Sequence, residues 1–329
     1  MNQKKRGLKE KGWLEFKYRA TGEPIRFPTG TVHGVEDGPT LVVVGGMHGS
    51  EYAGIEAAIR LFNQVDPTKL KGTLKVGMIY NLPAFLNHSI SVVPQDGKNP
   101  MDTFPGSPEG TYGEAMAYYF DQEVLSKADY YVEMHGGDVP ESLIPFTVCP
   151  VTGDEEVDTQ SMELATVYDL PLVVTLPTPA PETAQFSIDE SGFGLMAKRG
   201  KPAINAESGQ QGVLRMEEVE RHLVGLRNIL IHLGMTSGQI VDTVKPSVGH
   251  GWNMVISEVV GMWYPAVSLN ERISKGQVVG VVRDYFGQDI AEMKAPCDGN
   301  VAEIRTSPVT DIGTVLVGYP SPTGPESDE

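Results

Sequence analysis

The run Leu41-Val42-Val43-Val44-Gly45-Gly46 ends on two glycines and is followed almost at once by His48-Gly49-Ser50-Glu51. A short β-branched run closed by glycines reads as a buried strand entering a tight turn. The residues after it, Tyr52 to Leu61, read as a helix. A buried strand feeding a helix calls for an α/β arrangement, and such folds gather their chemistry outside the carboxyl ends of strands. His48 and Glu51 fall in that place, three residues apart, and the pairing suits one divalent metal, zinc foremost.

The alternation continues along the chain. Trp13 to Phe27 has partial period-two patterning, enough for one or two early strands. Leu74 to Asn81, Ala128 to Met134, Leu172 to Leu176 and Ala203 to Glu207 read as further strands. Ile55 to Phe62, Gly113 to Leu125 and Met216 to Leu233 carry helical spacing, Asp96 to Gly110 reads as a long loop, and Ser191-Gly192-Phe193-Gly194 as a turn. Strands alternating with helices predict an α/β sheet with helices on both faces. From Asp242 to Tyr319 the pattern becomes short strands punctuated by glycines, which predicts a small all-β sandwich or barrel. A length of 329 residues suits two domains. We place them at 1–241 and 242–320, with a disordered tail over 321–329.

The chain carries 26 lysines and arginines against 43 aspartates and glutamates, a formal charge of −17. Nucleic acid and anionic membranes need a basic footprint, so neither is an expected partner. No run of 18 apolar residues is present, so no membrane span is expected. The basic stretch Met1 to Lys11 leads into Gly12-Trp13-Leu14-Glu15 and not into an apolar core, unlike a secretory signal. Cys149 and Cys297 lie far apart, which suits a reduced, cytoplasmic setting. The expected partner is a small-molecule substrate. The β region is expected to shield a cleft or to join subunits of a homo-oligomer.

His-x-x-Glu is a weak motif alone, and His33-Gly34-Val35-Glu36 repeats it in an acidic loop where solvent is the simpler reading. His135 strengthens the other copy, because it ends the strand Tyr130-Tyr131-Val132-Glu133-Met134 and is followed by two glycines. If the two strands are parallel neighbours, His48, Glu51 and His135 meet at one sheet edge as a His₂Glu set with one position open. Glu133 points to the same side of its strand as His135 and could accept a ring N–H. Glu207 ends Pro202-Ala203-Ile204-Asn205-Ala206, where a carboxylate can serve as general base or simply end a strand. His222 and His232 fall on or beside the apolar face of the last long helix and read as structural.

Taken together these segments resemble the succinylglutamate desuccinylase/aspartoacylase family, a branch of the zinc carboxypeptidase-like hydrolases. The resemblance lies in GGMHGSEYAG (Gly45 to Gly54), NLPAF (Asn81 to Phe85), DGKN (Asp96 to Asn99), FPG (Phe104 to Gly106), VEMHGGD (ending at Asp138) and NAESG (Asn205 to Gly209). It extends roughly from Pro39 to Gly318. It implies a three-layer α/β/α domain with a mixed sheet and a small C-terminal β domain. It also implies one zinc per chain on His48, Glu51 and His135, with Glu207 as base in hydrolysis of an N-acyl amide bond. Asn81, within NLPAF, is a candidate on the substrate side.

Two departures stand out. Where the family carries Asn-Arg before x-Phe-Pro-Gly, this chain has Met101-Asp102, and Ser91 aligns with a second arginine. Those arginines grip a substrate carboxylate and the scissile oxygen, and losing an oxyanion donor costs on the order of 3 kcal/mol. His88 is a candidate replacement donor. Arginine-to-aspartate reverses a charge, so Asp102 is expected to face an amine, a quaternary ammonium or nothing charged. Alternatively, Lys98, Arg199 or Arg215 holds a carboxylate. The missing arginines also keep two other readings open: a non-catalytic metal or small-molecule binder, and an esterase or peptidase at the same site. Lys294 directly abuts Ala295-Pro296, unlike the modified lysine of biotin or lipoyl carriers.

Overall fold

The computed structural model describes residues 6–322; the rest of the basic N-terminal stretch and most of the expected disordered tail lie outside the described residues. The chain runs β1 (Leu8–Lys17), β2 (Pro24–His33), β3 (Glu36–Gly45), α1 (Tyr52–Gln64), β4 (Lys71–Gly77), α2 (Leu82–Asn87) and α3 (Tyr112–Glu123). It continues through β5 (Tyr130–His135), β6 (Glu141–Leu143), β7 (Phe146–Val151), α4 (Glu155–Val167), β8 (Leu172–Pro177), α5 (Gly192–Lys198), β9 (Ala203–Glu207) and α6 (Met216–His232). Strands alone follow: β10 (Ser247–Ile256), β11 (Gly261–Pro265), β12 (Arg272–Ile273), β13 (Val278–Arg283), β14 (Asp289–Lys294), β15 (Gly299–Asn300), β16 (Glu303–Arg305), β17 (Val309–Thr310) and β18 (Val315–Ser321).

The alternation of side chains on β3 explains the layers. Val42 and Val44 enter one core with Met116 and Phe120 of α3 and Phe193 of α5. Leu41 and Val43 enter the other with Leu61 of α1, Leu164 of α4 and Leu226 of α6. A strand buried on both faces must be apolar at every position, which is why Leu41–Val44 shows no alternation. The result is the expected mixed-sheet α/β/α sandwich. β3 pairs parallel with β5, and β5 parallel with β9. The carboxyl ends of these three central strands therefore share one edge.

Several elements differ from the sequence expectation. Ser191-Gly192-Phe193-Gly194 is not a turn: Ser191 caps α5, its Oγ accepting from Gly194 N–H at 3.0 Å. α4 escapes periodicity because its buried residues are few and two are small, Val157, Ser161, Leu164 and Ala165; Asp154 caps it. The strand expected over Leu74–Asn81 stops at Gly77. Tyr80 and Asn81 then bond across to Gly45 and Gly46 carbonyls, tying α2 to the turn after β3.

The C-terminal strands form their own core around Trp263, Val279 and Leu316, with a four-stranded sheet β14-β13-β11-β17. β10 also pairs parallel with β8, and β18, β16 and β6 follow it, so the main sheet of 12 strands runs on into this region. Among the described residues no helix is long and apolar enough to cross a membrane.

Candidate metal and catalytic site

The turn after β3 is made by Gly46, whose φ of 70° is open to glycine at little cost. α1 then packs tightly on the sheet, since a Cβ at Gly54 would lie 2.8 Å from the Met134 carbonyl oxygen. Glu51 stands at the N-cap of α1 but makes no side-chain cap bond, so its carboxylate is free to face His48 and His135.

These three side chains converge, with candidate ligand atoms within 4.8 Å of one another. His48 Nδ1 lies 2.7 Å from Glu51 Oε1, and His135 Nδ1 lies 2.9 Å from Glu51 Oε2. The second contact lacks hydrogen-bond geometry, so Oε2 is a buried acceptor without a partner, as expected of an atom placed for a cation. The remaining ring nitrogens are held from behind. His48 Nε2 is 3.1 Å from Asn99 Oδ1, and His135 Nε2 is 2.9 Å from Glu133 Oε1. Glu133 is fully buried and also accepts from the Tyr131 hydroxyl at 2.7 Å. Each ring thus presents Nδ1 forward and donates N–H backward, the orientation a metal-binding imidazole needs.

Burial alone would keep His48 neutral, but the charge and hydrogen bond of Glu51 outweigh it and raise His48 to about 9. Burial likewise opposes the low pKa of Glu51, which the two imidazoles pull down to about 2. Protons on the rings occupy the role a divalent ion would take, and metal binding must release them. The residues present therefore fit such an ion.

Glu207 stands opposite His135 in the β5–β9 register. Burial pushes its carboxyl up to about 7, with the nearby His135 working against the rise. Asn205 Nδ2 donates to Glu207 Oε1 at 3.0 Å. From below, fully buried His222 supports the same strand ends. Its Nε2 lies 3.0 Å from both the His135 and Ser208 carbonyl oxygens, and its Nδ1 accepts from Tyr168 at 2.8 Å. Burial depresses its pKa to about 4, so it is a neutral ring with a fixed tautomer.

A cavity of about 300 Å³ opens over the cluster, lined among others by Ser91, Glu141, Phe193, Glu207, Trp252 and Glu303.

A profile of the succinylglutamate desuccinylase/aspartoacylase catalytic domain matches residues 37–233. The chain belongs to this family. Its members are amide hydrolases, and this chain is accordingly an enzyme of that class. The chain is 27% identical over 288 residues to the N-alpha-acetyl-L-2,4-diaminobutyric acid deacetylase of Halomonas elongata, covering 85% of this chain and 81% of that one. Its fold matches the product-bound ectoine utilization protein EutE (DoeB) from Ruegeria pomeroyi with a TM-score of 0.85, at 23% identity and 97% coverage of each chain. It also matches a succinylglutamate desuccinylase/aspartoacylase from Rhodobacter sphaeroides with a TM-score of 0.82, at 21% identity and 96% coverage of each.

Among the described residues no lysine or arginine lines the cavity; its basic side chains are the imidazoles of His48 and His135. Ser91, on the cavity wall, donates its hydroxyl to Asp138 at 2.8 Å. Asp102 is exposed on the 3₁₀ turn Pro100–Asp102, within the electrostatic reach of His48 and Glu190 but not on the cavity wall. Two sequence candidates lie off the lining of this cavity. His88 lies in a separate hollow with Tyr52, Phe85 and Leu214, because the left-handed cap of α2 turns it outward. Asn81 is buried and spends its Oδ1 capping α2 through Ala84 N–H at 3.1 Å. The alternative cations are also spent or remote: Lys98 pairs with Glu114, Arg199 with Asp121, and Arg215 begins α6 away from the cavity. Sequence reading missed Asn99, Glu141 and Glu303. Asn99 was visible within DGKN; Glu303 was not, because nothing in the sequence shows that β16 joins the main sheet.

Proposed function

We propose that this chain is a zinc-dependent hydrolase of a small N-acylated amine or amino-acid derivative, with one zinc on His48, Glu51 and His135 and Glu207 as general base. The observation that carries the reading is the placement of Glu207 directly across from His135, at the edge of a cluster with an unpartnered carboxylate oxygen. Zinc held by His48, Glu51 and His135 would supply Lewis acidity toward the amide carbonyl and the attacking water. Glu207 takes the proton from the attacking water and returns it to the departing nitrogen as the C–N bond breaks. The products are a carboxylate and an amine. A carboxyl pKa near neutrality suits both halves of that task. Asn205 leaves one Glu207 oxygen engaged and the other available.

Similarity to a deacetylase of an N-acetylated diamino acid supports an amide bond as the target. The missing arginines argue against substrates held by an acidic side chain. Assay with added zinc of N-acetylated diamino acids, N-acetyl-aspartate, N-succinyl-glutamate and simple esters tests this. Hydrolysis of an N-acyl amine supports it. Efficient cleavage of N-acetyl-aspartate overturns the charge argument, and silence across the panel with tight binding of one compound supports a non-catalytic binder.

The groups behind the imidazoles carry a prediction of their own. Asn99→Ala and Glu133→Gln should each weaken zinc binding by about 10–100-fold while leaving the fold intact, read by competition with a chelator. Unchanged affinity in both would show that ring orientation is set elsewhere.

A further inference from the structure

The cavity wall contributed by the C-terminal strands is acidic where it is polar. Glu303 on β16 and Glu141 on β6 face the cavity, Glu207 faces it from β9, and among the described residues no lysine or arginine lines it; Glu141 Oε2 accepts from Asp138 N–H at 3.0 Å. β6 and β16 are antiparallel neighbours, so residues distant in sequence meet there. Glu303 is paired through its backbone with β18 and β6, and its carboxyl group has no hydrogen bond or ion pair among the described residues. The charges around it are chiefly Glu141, Glu207 and Glu51, with Arg305 the one opposing group; Arg305 donates its Nε to the Val309 carbonyl and does not line the cavity. Burial and these like charges push Glu303 well above the carboxylate range, and burial with Glu51 and Asp138 raises Glu141 to about 7. A separate acceptor points the same way: Asn205 lines the cavity, is 5% exposed, and its Oδ1 has no partner.

Unpaired acceptors in a confined cavity are costly until a donor with positive charge enters. A second metal ion is the poorer fit, because among the described residues only His48, Glu51 and His135 gather as a ligand group. The neighbouring wall is aromatic, with Phe146 and Trp252 5.3 Å apart and tilted by 31°. Trp252 reaches that position because Gly318 has no side chain; a Cβ there would lie 2.7 Å from the indole. Carboxylates beside aromatic faces fit an alkylammonium, whose N–H groups reach the former and whose methylenes lie on the latter.

We propose that Glu303, with Glu141 beside it, is the specificity-determining group for a second, protonated amino group on the substrate, so that the enzyme selects mono-N-acylated diamines. The proposal rests on the hydrolase reading above. It is tested with the zinc-loaded full chain on Nα-acetyl-2,4-diaminobutyrate and on Nα-acetyl-norvaline, which replaces the ammonium by a methyl group. The wild type should favour the ammonium substrate in kcat/KM by on the order of 100-fold. Glu303→Gln should collapse that ratio, mainly through KM. Calorimetry of 2,4-diaminobutyrate binding reads the same subsite without turnover and should weaken by a similar factor in the variant. A wild-type ratio near one, which needs no variant, overturns the proposal. So does an unchanged ratio in a folded Glu303→Gln protein. Fast hydrolysis of the norvaline derivative without that preference leaves the hydrolase reading standing. No hydrolysis of either, with diamine binding that Glu303→Gln abolishes, defeats the hydrolase reading and keeps the subsite.

Discussion

Glu207→Gln is expected to retain zinc and lose turnover by on the order of 10³–10⁴-fold. Glutamine matches glutamate in shape and can still meet Asn205 Nδ2 through its carbonyl oxygen, so the strand end should hold. It cannot accept a proton from water at neutral pH. Glu207 makes no direct contact with His48, Glu51 or His135 in the hydrogen-bond and ion-pair network, and zinc content should therefore stay at the wild-type level. The separation of metal from turnover is the informative part. Wild-type kcat in a zinc-replete Glu207→Gln protein would remove this residue from the chemistry.

His135→Ala is expected to lose the metal altogether. The substitution removes one of the three proposed ligands and leaves Glu51 and Glu133 buried without the ring that each approaches at 2.9 Å. Breaking a buried pair by deleting one partner costs roughly 3–5 kcal/mol, so the variant should also melt earlier. His135→Gln refills much of the volume and separates the two effects: it should recover part of the stability but not the zinc. A full zinc complement in either variant would place the ion elsewhere.

Much of this candidate site is legible in the sequence, for a physical reason. A parallel central sheet makes strand ends converge, and strand ends announce themselves as apolar runs closed by glycine. Leu41–Gly46 and Tyr130–Gly136 show this, and Ala203–Glu207 does so nearly as well. Glu133 was accessible through strand alternation, which sets it two residues from His135 and on the same side. Features that depend on long-range pairing were hidden. Glu303 enters the cavity only because β16 lies between β18 and β6, a neighbourhood that no local pattern encodes. His88 misled because closeness in sequence to Ser91 is not closeness in space; the α2 cap sends it to another face. α5 read as a turn because serine and two glycines signal a turn and a helix start equally well.

The cavity is rich in carboxyl groups and has no lysine or arginine among its described lining residues. Ser91 is a neutral side chain on the cavity wall, and Glu141 and Glu303 add carboxyl groups there, with Arg305 across from Glu141 in the β6–β16 register and outside the cavity lining. An ammonium group entering there would favour the ionised forms of Glu303 and Glu141, an attraction strongest where water is scarce.

The most direct test is a crystal structure of the zinc-loaded protein with anomalous scattering measured at the zinc edge. One peak per chain, bonded to the Nδ1 atoms of His48 and His135 and to the Glu51 carboxylate, is the predicted result. A well-ordered protein in which those two imidazoles diverge, or in which the anomalous peak lies away from them, would contradict the account.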